Sequence, residues 1–434
     1  MFLGLSASSA VASEASAEAA RTHLYAARLA VGADDLARRV AADPEDMEAR
    51  FGLGMIQFVR AVEKLCQTQY RYGVQQPDHH ILLPLLRFPI PPNPSPEAVD
   101  YDAFRAMLQD FIVDLATSEA TLAGIGERPT TVVVDLMQVR LDVTGASKSG
   151  DGVRLIDVIA AISGQSGRWP LEAMKAREVK FDSGDAAWLR AYTHALSALC
   201  EVLLAHDFHA SFDAVAVHFW ARPETPFAAE LAAPAPPNMF TDFESRPTTL
   251  ADLLAAIHLL KWLVVAPERM RAARTHLLAM ITDSRLSWKL INAETGDDRE
   301  WIPNPRQKHA ALGQLVSPEQ MTAWFAFLDE GEAILEGRRL APHWRFAKGV
   351  DVKAFFEKPQ TFDLVLFVTG QGALPYLSNG PITSPERWAQ IIRAFEGNSS
   401  SSQFGLIDGA GSSSLIPWPT LRGREAPGAR GFEA

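Results

Sequence analysis

Residues 43–65, DPEDMEARFGLGMIQFVRAVEKL, carry the clearest helical pattern in the chain. Asp43 is a favourable helix cap, Pro44 fits a first helical turn, and the acidic residues that follow suit the positive end of the helix dipole. Apolar residues then recur at intervals of three and four, which describes one buried stripe. The stripe consists of Phe51, Met55, Phe58, Val62 and Leu65. The stretch therefore predicts a helix with one face in a core.

The pair Leu53-Gly54 lies where a tetratricopeptide helix carries its Leu-Gly pair, and residues 30–42 are suited to a preceding partner helix. The stretch resembles one such repeat, although Arg50 replaces the expected aromatic residue and no second copy follows at a fixed period. Such repeats need neighbours for stability. We therefore predict a mainly α fold, with a tetratricopeptide-like region at residues 17–125 and a larger helical body with a small β element at residues 126–396.

Composition excludes several classes of protein. With 434 residues, 47% of them hydrophobic, the chain is long enough to bury a large core, and its length suggests two or three domains. The net charge of -11, without a basic block beside aromatic residues, argues against a nucleic-acid partner. No apolar run reaches the roughly 18 residues that cross a bilayer, so we predict no transmembrane segment.

The two ends of the chain differ from its middle. Residues 1–12, MFLGLSASSAVA, resemble the remnant of a signal peptide with cleavage after Ala12, which predicts a periplasmic or secreted protein; a flexible N-terminus is the alternative. Residues 397–434 lack apolar periodicity and predict a disordered tail. Cys66 and Cys200 lie in apolar helical contexts, and a disulfide between them stays open.

Cap signals and periodicity predict further elements along the chain. The predicted helices cover about residues 17–39, 46–70, 101–122, 155–162, 185–206, 249–263, 267–282, 318–335 and 385–395. Residues 131–143 and 362–368 have the composition of strands. The proline-rich segment 84–96 is too apolar for a solvated linker, so we expect it to pack in an extended form.

Four segments carry a resemblance to a family of secreted bacterial proteins whose activity is uncharacterised. They are residues 181–207, 301–307, 342–346 and 362–376. The similarity spans most of residues 40–390. It implies an exported location and one evolutionary unit, and it brings no activity.

The familiar catalytic motifs are absent from the sequence. The segment GQGALP at residues 370–375 follows an apolar run like a dinucleotide fingerprint, but Pro375 replaces the glycine that helix packing requires. The sequence contains no GxSxG elbow, Walker A loop or HExxH motif.

Two sets of residues have the chemistry of metal ligands. His206, His209 and Asp213 share one face if a single helix runs through them, which suits zinc; the alternative is that these histidines cap the helix end. The loop at residues 141–152 offers Asp142 and Asp151 as calcium ligands, although Lys148 opposes a cation and a solvated Gly/Ser turn is the alternative. His194 and Glu201, also seven residues apart, lie on a neighbouring face.

The loop at residues 301–307, WIPNPRQ, is the most distinctive candidate for ligand binding. Trp301, Asn304 and Arg306 would offer an aromatic platform, an amide and a guanidinium to a polar ligand. The alternative is that Trp301 fills the core while Arg299 and Arg306 form ion pairs with Asp297 or Glu300.

The sequence favours a binding function: an exported helical scaffold that holds a ligand, peptide or partner protein. The alternative is a metal-dependent hydrolase, in which the His206 set or the Asp142 loop binds the ion and Asp182 or Asp185 acts as the base. The sequence leaves the cofactor unknown, with a divalent metal, zinc or calcium, as the option that these residues offer. The sequence does not decide whether the protein is an enzyme.

Overall fold

A computed structural model describes most of the chain. The described residues are 3–75, 86–146, 152–162, 178–226, 228–232, 254–255, 257–311, 315–384 and 387, with only the backbone described at 3–12 and 231–232. Asp151, the predicted helix at 385–395 apart from residue 387, and the predicted tail at 397–434 lie outside these ranges. The fold is mainly helical with a few small antiparallel sheets, which confirms the predicted fold class.

Four helices form the N-terminal part. They are α1 (Leu3–Tyr25), α2 (Leu29–Ala42), α3 (Met47–Arg71) and α4 (Tyr101–Ala123). The predicted helix at 46–70 is α3, and its cap is Asp46 rather than Asp43, because the Asp46 side chain accepts a hydrogen bond from Ala49 N at 2.8 Å. The single helix predicted at 17–39 is wrong. The chain breaks at Ala27, which has a positive φ of 52°.

Two glycines allow α3 to pack closely against its neighbours. A Cβ atom at Gly52 would lie 2.7 Å from the Cβ of Ala20 on α1. At Gly54 it would lie 2.5 Å from the Leu122 side chain on α4, and Ser118 of α4 donates a hydrogen bond to the Gly54 carbonyl at 2.8 Å. The Leu-Gly pair therefore serves helix packing.

The remaining elements alternate short strands with helices. The central ones are β1 (Thr131–Asp135), β2 (Arg140–Leu141), β3 (Val153–Arg154), α5 (Leu155–Ile162), β4 (Glu178–Asp182), α6 (Ser183–Leu204), β5 (His206–Asp207), α7 (His209–Val215) and α8 (Ala228–Ala232). The C-terminal ones are β6 (Lys261–Val264), α9 (Pro267–Ala293), α10 (Pro318–Leu335), β7 (Gly349–Val350), α11 (Val352–Glu357), β8 (Phe362–Asp363), α12 (Leu364–Thr369) and β9 (Leu377–Ser378). The sheets pair β1 with β4, β2 with β3, β7 with β9, and β6 with both β5 and β8.

Two predicted elements change their type. Residues 261–263, placed at the end of a predicted helix, belong to β6, which lies between β5 and β8. The strand predicted at 362–368 is only two residues long, because Asp363 accepts a hydrogen bond from Leu366 N at 2.9 Å and begins α12. The described part of the proline-rich segment packs as predicted, with Leu86 and Phe88 buried.

Cys66 and Cys200 are buried free thiols, so the open question of a disulfide is answered. Burial raises the pKa of the Cys200 thiol to about 12 and that of Cys66 still further. Within the described ranges, every helix is too short or too polar to span a bilayer.

The buried apolar side chains form two clusters. The first contains residues from α1 to α4, from β1 and β4, and from α6, and it extends across the predicted domain boundary at residue 125. The second is built from α9, α10 and α11, with Trp288, Trp324 and Phe356 among its largest members. Helices α6 and α9 pack against each other more extensively than any other pair of elements. This helix pair therefore connects the two clusters.

A pair of glycine substitutions tests the packing of α3. Gly52→Ala should lower the free energy of unfolding by about 2 kcal/mol, because the new methyl group meets a side chain that has no rotamer to escape into. Gly331→Ala in α10 is the matched control. Its methyl group meets only Ile281 at 3.7 Å, so this change should be neutral or stabilising by about 0.5 kcal/mol. Urea denaturation of both variants measures the difference, and equal losses would refute this description of the packing.

Candidate functional site

The first turn of α6 brings the two predicted catalytic carboxylates, Asp182 and Asp185, together. Strand β4 ends at Asp182, whose side chain accepts a hydrogen bond from Gly184 N at 2.8 Å. Asp185 accepts one from Asp182 N at 3.0 Å, which completes a capping box. Gly184 allows this turn to approach α9, because a Cβ atom there would lie 2.8 Å from the Ile291 side chain.

Two glutamates from a later part of the chain meet Asp182. Glu294 directly follows α9, and Glu300 lies on the loop that leads towards α10. The loop is held at Glu300 by backbone hydrogen bonds to His309 and Ala311, of 3.1 and 2.9 Å. One carboxylate oxygen from each of Asp182, Glu294 and Glu300 lies within 4.8 Å of the other two. We call these three residues the carboxylate cluster.

The electrostatics of the carboxylate cluster are unfavourable to three negative charges. Burial, followed by the charge of Asp182, raises the pKa of Glu294 to about 8. Burial also raises the pKa of Glu300 and, beside the cluster, raises that of Asp185 well above its usual range. Lys180 is the nearby cation, with its Nζ 3.8 Å from Glu300 Oε1. The cluster therefore holds either a proton or another cation at neutral pH.

The predicted ligand-binding residues lie beside the carboxylate cluster, where two of them are buried. Asn304, 1% exposed, donates a hydrogen bond to the Ile291 carbonyl at 2.9 Å and accepts one from Arg306 N at 3.0 Å. Trp301 is 9% exposed and packs against Phe181 and Trp188, with ring centroids 5.6 and 5.8 Å away. Both side chains hold the loop in place, as in the alternative in which Trp301 fills the core.

The contacts of Arg306 and Arg299 match neither interpretation of the sequence. The Arg306 guanidinium donates to the Asn292 carbonyl at 2.6 Å, so it caps the C-terminus of α9. Arg299 pairs with Asp298 and with Glu178 of β4. Gln307, which the sequence did not single out, donates to Glu294 Oε2 at 3.0 Å and so orients this carboxyl group.

The His206 set does not share a helical face, because α6 ends at Leu204 and α7 begins at His209. The buried His206 ring forms a hydrogen bond through Nδ1 to the Val202 carbonyl at 2.7 Å. It therefore caps the end of α6, as the alternative interpretation of the sequence predicts. His209 stacks on Tyr101 with ring centroids 4.5 Å apart, and its Nε2 lies 3.6 Å from Asp213. Among the described residues, only the carboxylate cluster gathers three ligand side chains closely enough for one ion.

The loop after β2 forms a turn. Asp142 Oδ1 accepts hydrogen bonds from Thr144 N at 3.2 Å and Gly145 N at 2.9 Å, as in the Gly/Ser turn alternative. Its backbone N–H donates to Glu63 of α3 at 2.7 Å. Asp151, the other predicted calcium ligand, lies outside the described residues.

The hydrolase arrangement derived from the sequence does not assemble around His206. Asp185 lies in the first turn of α6 and His206 lies just beyond its last turn. At 1.5 Å per residue, these two positions are roughly 30 Å apart.

Comparison with known proteins adds no relative. No protein-family model, curated protein or solved structure matches the chain. The resemblances to a tetratricopeptide unit and to a secreted bacterial family therefore stay predictions.

The pKa of Glu294 predicts how its removal changes stability. In the unfolded chain this pKa is near 4.5, so the stability linked to the bound proton is present below pH 4.5 and is lost as the pH rises through about 8. Glu294→Gln should therefore raise the unfolding temperature by on the order of 2 °C at about pH 9 and by less at about pH 5.

Thermal unfolding in a chelator measures this effect. Glu127→Gln is the control, because Glu127 is exposed and pairs with Lys289 on the surface. If Glu294→Gln raised the unfolding temperature equally at both pH values, repulsion within the carboxylate cluster would not be the cause of the increase.

Proposed function

We propose that this protein is a helical binding protein whose ligand is a divalent cation, with calcium preferred. The observation that carries this proposal is the convergence of three carboxylate oxygens within 4.8 Å of one another. The oxygens come from the start of α6, the end of α9 and the following loop. An ion in this position would tie together three segments that are distant in the sequence.

The donor set favours calcium over zinc. Carboxylate oxygens are the ligands of hard cations, whereas zinc sites in proteins usually include histidine or cysteine. Calcium bonds to oxygen at about 2.4 Å, so one ion can join oxygens up to about 4.8 Å apart. Magnesium, at about 2.1 Å, requires a tighter octahedron.

A bound cation would also replace the charges that now balance the cluster. Burial and the nearby charge of Asp182 raise the pKa of Glu294 to about 8, so Glu294 carries a proton at neutral pH. Calcium binding at neutral pH should therefore release protons, and Lys180 should move away from Glu300. Affinity should rise with pH until Glu294 is fully ionised.

The proposed function is the binding function that the sequence favours, with a divalent cation as the ligand. The hydrolase alternative receives less support, because the His206 set does not gather and Asp185 lies at the opposite end of α6 from it. The exported location remains an expectation from residues 1–12, of which residues 3–12 lie inside α1.

Isothermal titration of the full-length protein with calcium tests the proposal. We expect one equivalent to bind at about pH 8, with proton release that shows as a dependence on the ionisation enthalpy of the buffer. Glu300→Gln should weaken binding by about tenfold or more, because it removes one charged ligand while its amide oxygen can still accept from Asp298 N.

Glu63→Gln is the matched control, since Glu63 is another buried carboxylate with a pKa raised by burial, to about 7, but lies on α3. This variant should bind calcium like the wild type. The absence of calcium binding at millimolar concentration, or equal binding by Glu300→Gln, would contradict the proposal. Tighter binding of zinc than of calcium at the same residues would overturn the choice of ion.

A further inference from the structure

A row of polar side chains lies between α6 and α9, separate from the carboxylate cluster. It consists of three pairs across the helices, Arg190 with Asp283, His194 with His276 and Glu201 with Arg269, together with Gln109 and Glu119 of α4. We call these eight residues the polar seam. Their order shows that α6 and α9 run antiparallel.

The arginines of the polar seam are held by short ion pairs. Arg190 lies 2.9 Å from Asp283 and 2.8 Å from Glu119, so it joins α6 to both α9 and α4. Arg269 lies 3.0 Å from Glu201. The carboxylates Asp283 and Glu201 are buried, so either would be poorly solvated without its arginine, and these two pairs are costly to separate.

The two histidines share one hydrogen bond. Nδ1 of His194 lies 2.9 Å from Nδ1 of His276, so one ring must donate and the other must accept. Nε2 of His194 faces carboxylate oxygens of Asp283 at 3.6 Å and Glu119 at 3.7 Å, which favours a proton on this nitrogen. His276 is therefore the Nδ1–H donor, and neutral His194 is the acceptor.

Two buried atoms at the centre of the polar seam lack a hydrogen bond within the described part of the chain. They are Nε2 of His194 and Oδ2 of Asp283, in residues that are 9% and 3% exposed. The arginine beside Asp283 opposes a metal ion in this position. The proton on Nε2 of His194 therefore points into this gap.

The number of charges limits how many protons the polar seam accepts. Two arginines and three carboxylates give a net charge of -1 when both histidines are neutral. One additional proton makes the seam neutral and leaves the bond between the imidazoles intact. When both rings are protonated, two N–H groups face each other at 2.9 Å and the bond is lost.

We propose that the polar seam is a proton-operated switch, in which protonation of both His194 and His276 loosens α6 from α9 in acid. This proposal does not depend on calcium binding at the carboxylate cluster. Because α6 and α9 connect the two hydrophobic clusters, loosening them would weaken the contact between the N-terminal helices and the C-terminal body.

The pKa shifts of the seam set the pH window. Burial lowers the pKa of His194 to about 4 and lowers that of His276 below its usual value. The stability linked to the two neutral rings is therefore present above pH 6.5 and is lost as the pH falls towards 4. Burial raises the pKa of Asp283 to about 6, which acts in the opposite direction as the carboxyl group takes up its proton. Once Asp283 is neutral, it no longer offsets a charge on His194.

Hydrogen exchange of the full-length protein tests the switch. Between about pH 7 and about pH 4.5, after correction for intrinsic rates, amides of α6 and α9 should lose about tenfold in protection relative to α3. His276→Asn should keep most of this protection, because the Asn Nδ2 donates like the His276 Nδ1 but takes up no proton. His209→Asn, at an exposed histidine outside the seam, should respond like the wild type.

The same acid response in the wild type and in His276→Asn would overturn the proposal, as would equal loss of protection in all helices. A proton NMR titration of the wild-type histidines provides a test that does not depend on the folding of the variant. The His194 and His276 signals should titrate below pH 6.5, together with the loss of protection. Titration of both at the ordinary value while α6 and α9 stay protected would refute the switch.

Discussion

The antiparallel contact between α6 and α9 is the interaction on which the rest of the structure depends. Apolar side chains of α6 belong to the first hydrophobic cluster, and those of α9 form much of the second. The polar seam lies between them and pairs charged groups that are buried or half-buried. A sliding of one helix by a single turn would leave these charges without partners, so the seam fixes the register of the helix pair.

Both proposals concern this helix pair. The carboxylate cluster lies where α6 begins and α9 ends, and the polar seam lies along the middle of the two helices. A cation at the cluster would hold α6 to the end of α9, whereas protons in the seam would loosen the pair. The two sites would therefore act in opposite directions on one structural element, and because protons also compete with calcium at the carboxylate cluster, acid would weaken both contacts.

The sequence predicts a helix most closely where the cap and the apolar stripe lie within that helix. The caps and apolar stripes of α3, α4 and α10 predict these helices closely, whereas the break at Ala27 depends on one residue of positive φ that periodicity does not show. Asp182, which the sequence offered as a catalytic candidate, lies in the carboxylate cluster. Its partner Glu294 is more than 100 residues away in the sequence, and only the packing of α6 on α9 brings the two together. The unusual composition of residues 301–307 predicted a binding loop. In the structure, Trp301 of this loop is buried, and Asn304 donates a hydrogen bond to the Ile291 carbonyl at the end of α9. The sequence does contain one indication of the polar seam: the seven-residue spacing of His194 and Glu201 recurs in α9, between Arg269, His276 and Asp283.

A double-mutant cycle on Arg190 and Asp283 tests most directly whether paired charges fix the contact between α6 and α9. Arg190→Met should lower the free energy of unfolding by about 3 kcal/mol, because it leaves the buried Asp283 carboxylate without its arginine. Asp283→Leu should lower it by less, because Arg190 keeps its ion pair with Glu119. The double variant should lose at least about 1 kcal/mol less than the sum of the two single losses, since the Asp283 charge is then absent. Urea denaturation at neutral pH measures all four proteins. Losses that simply add would show that the two residues act independently and would contradict this account of the register.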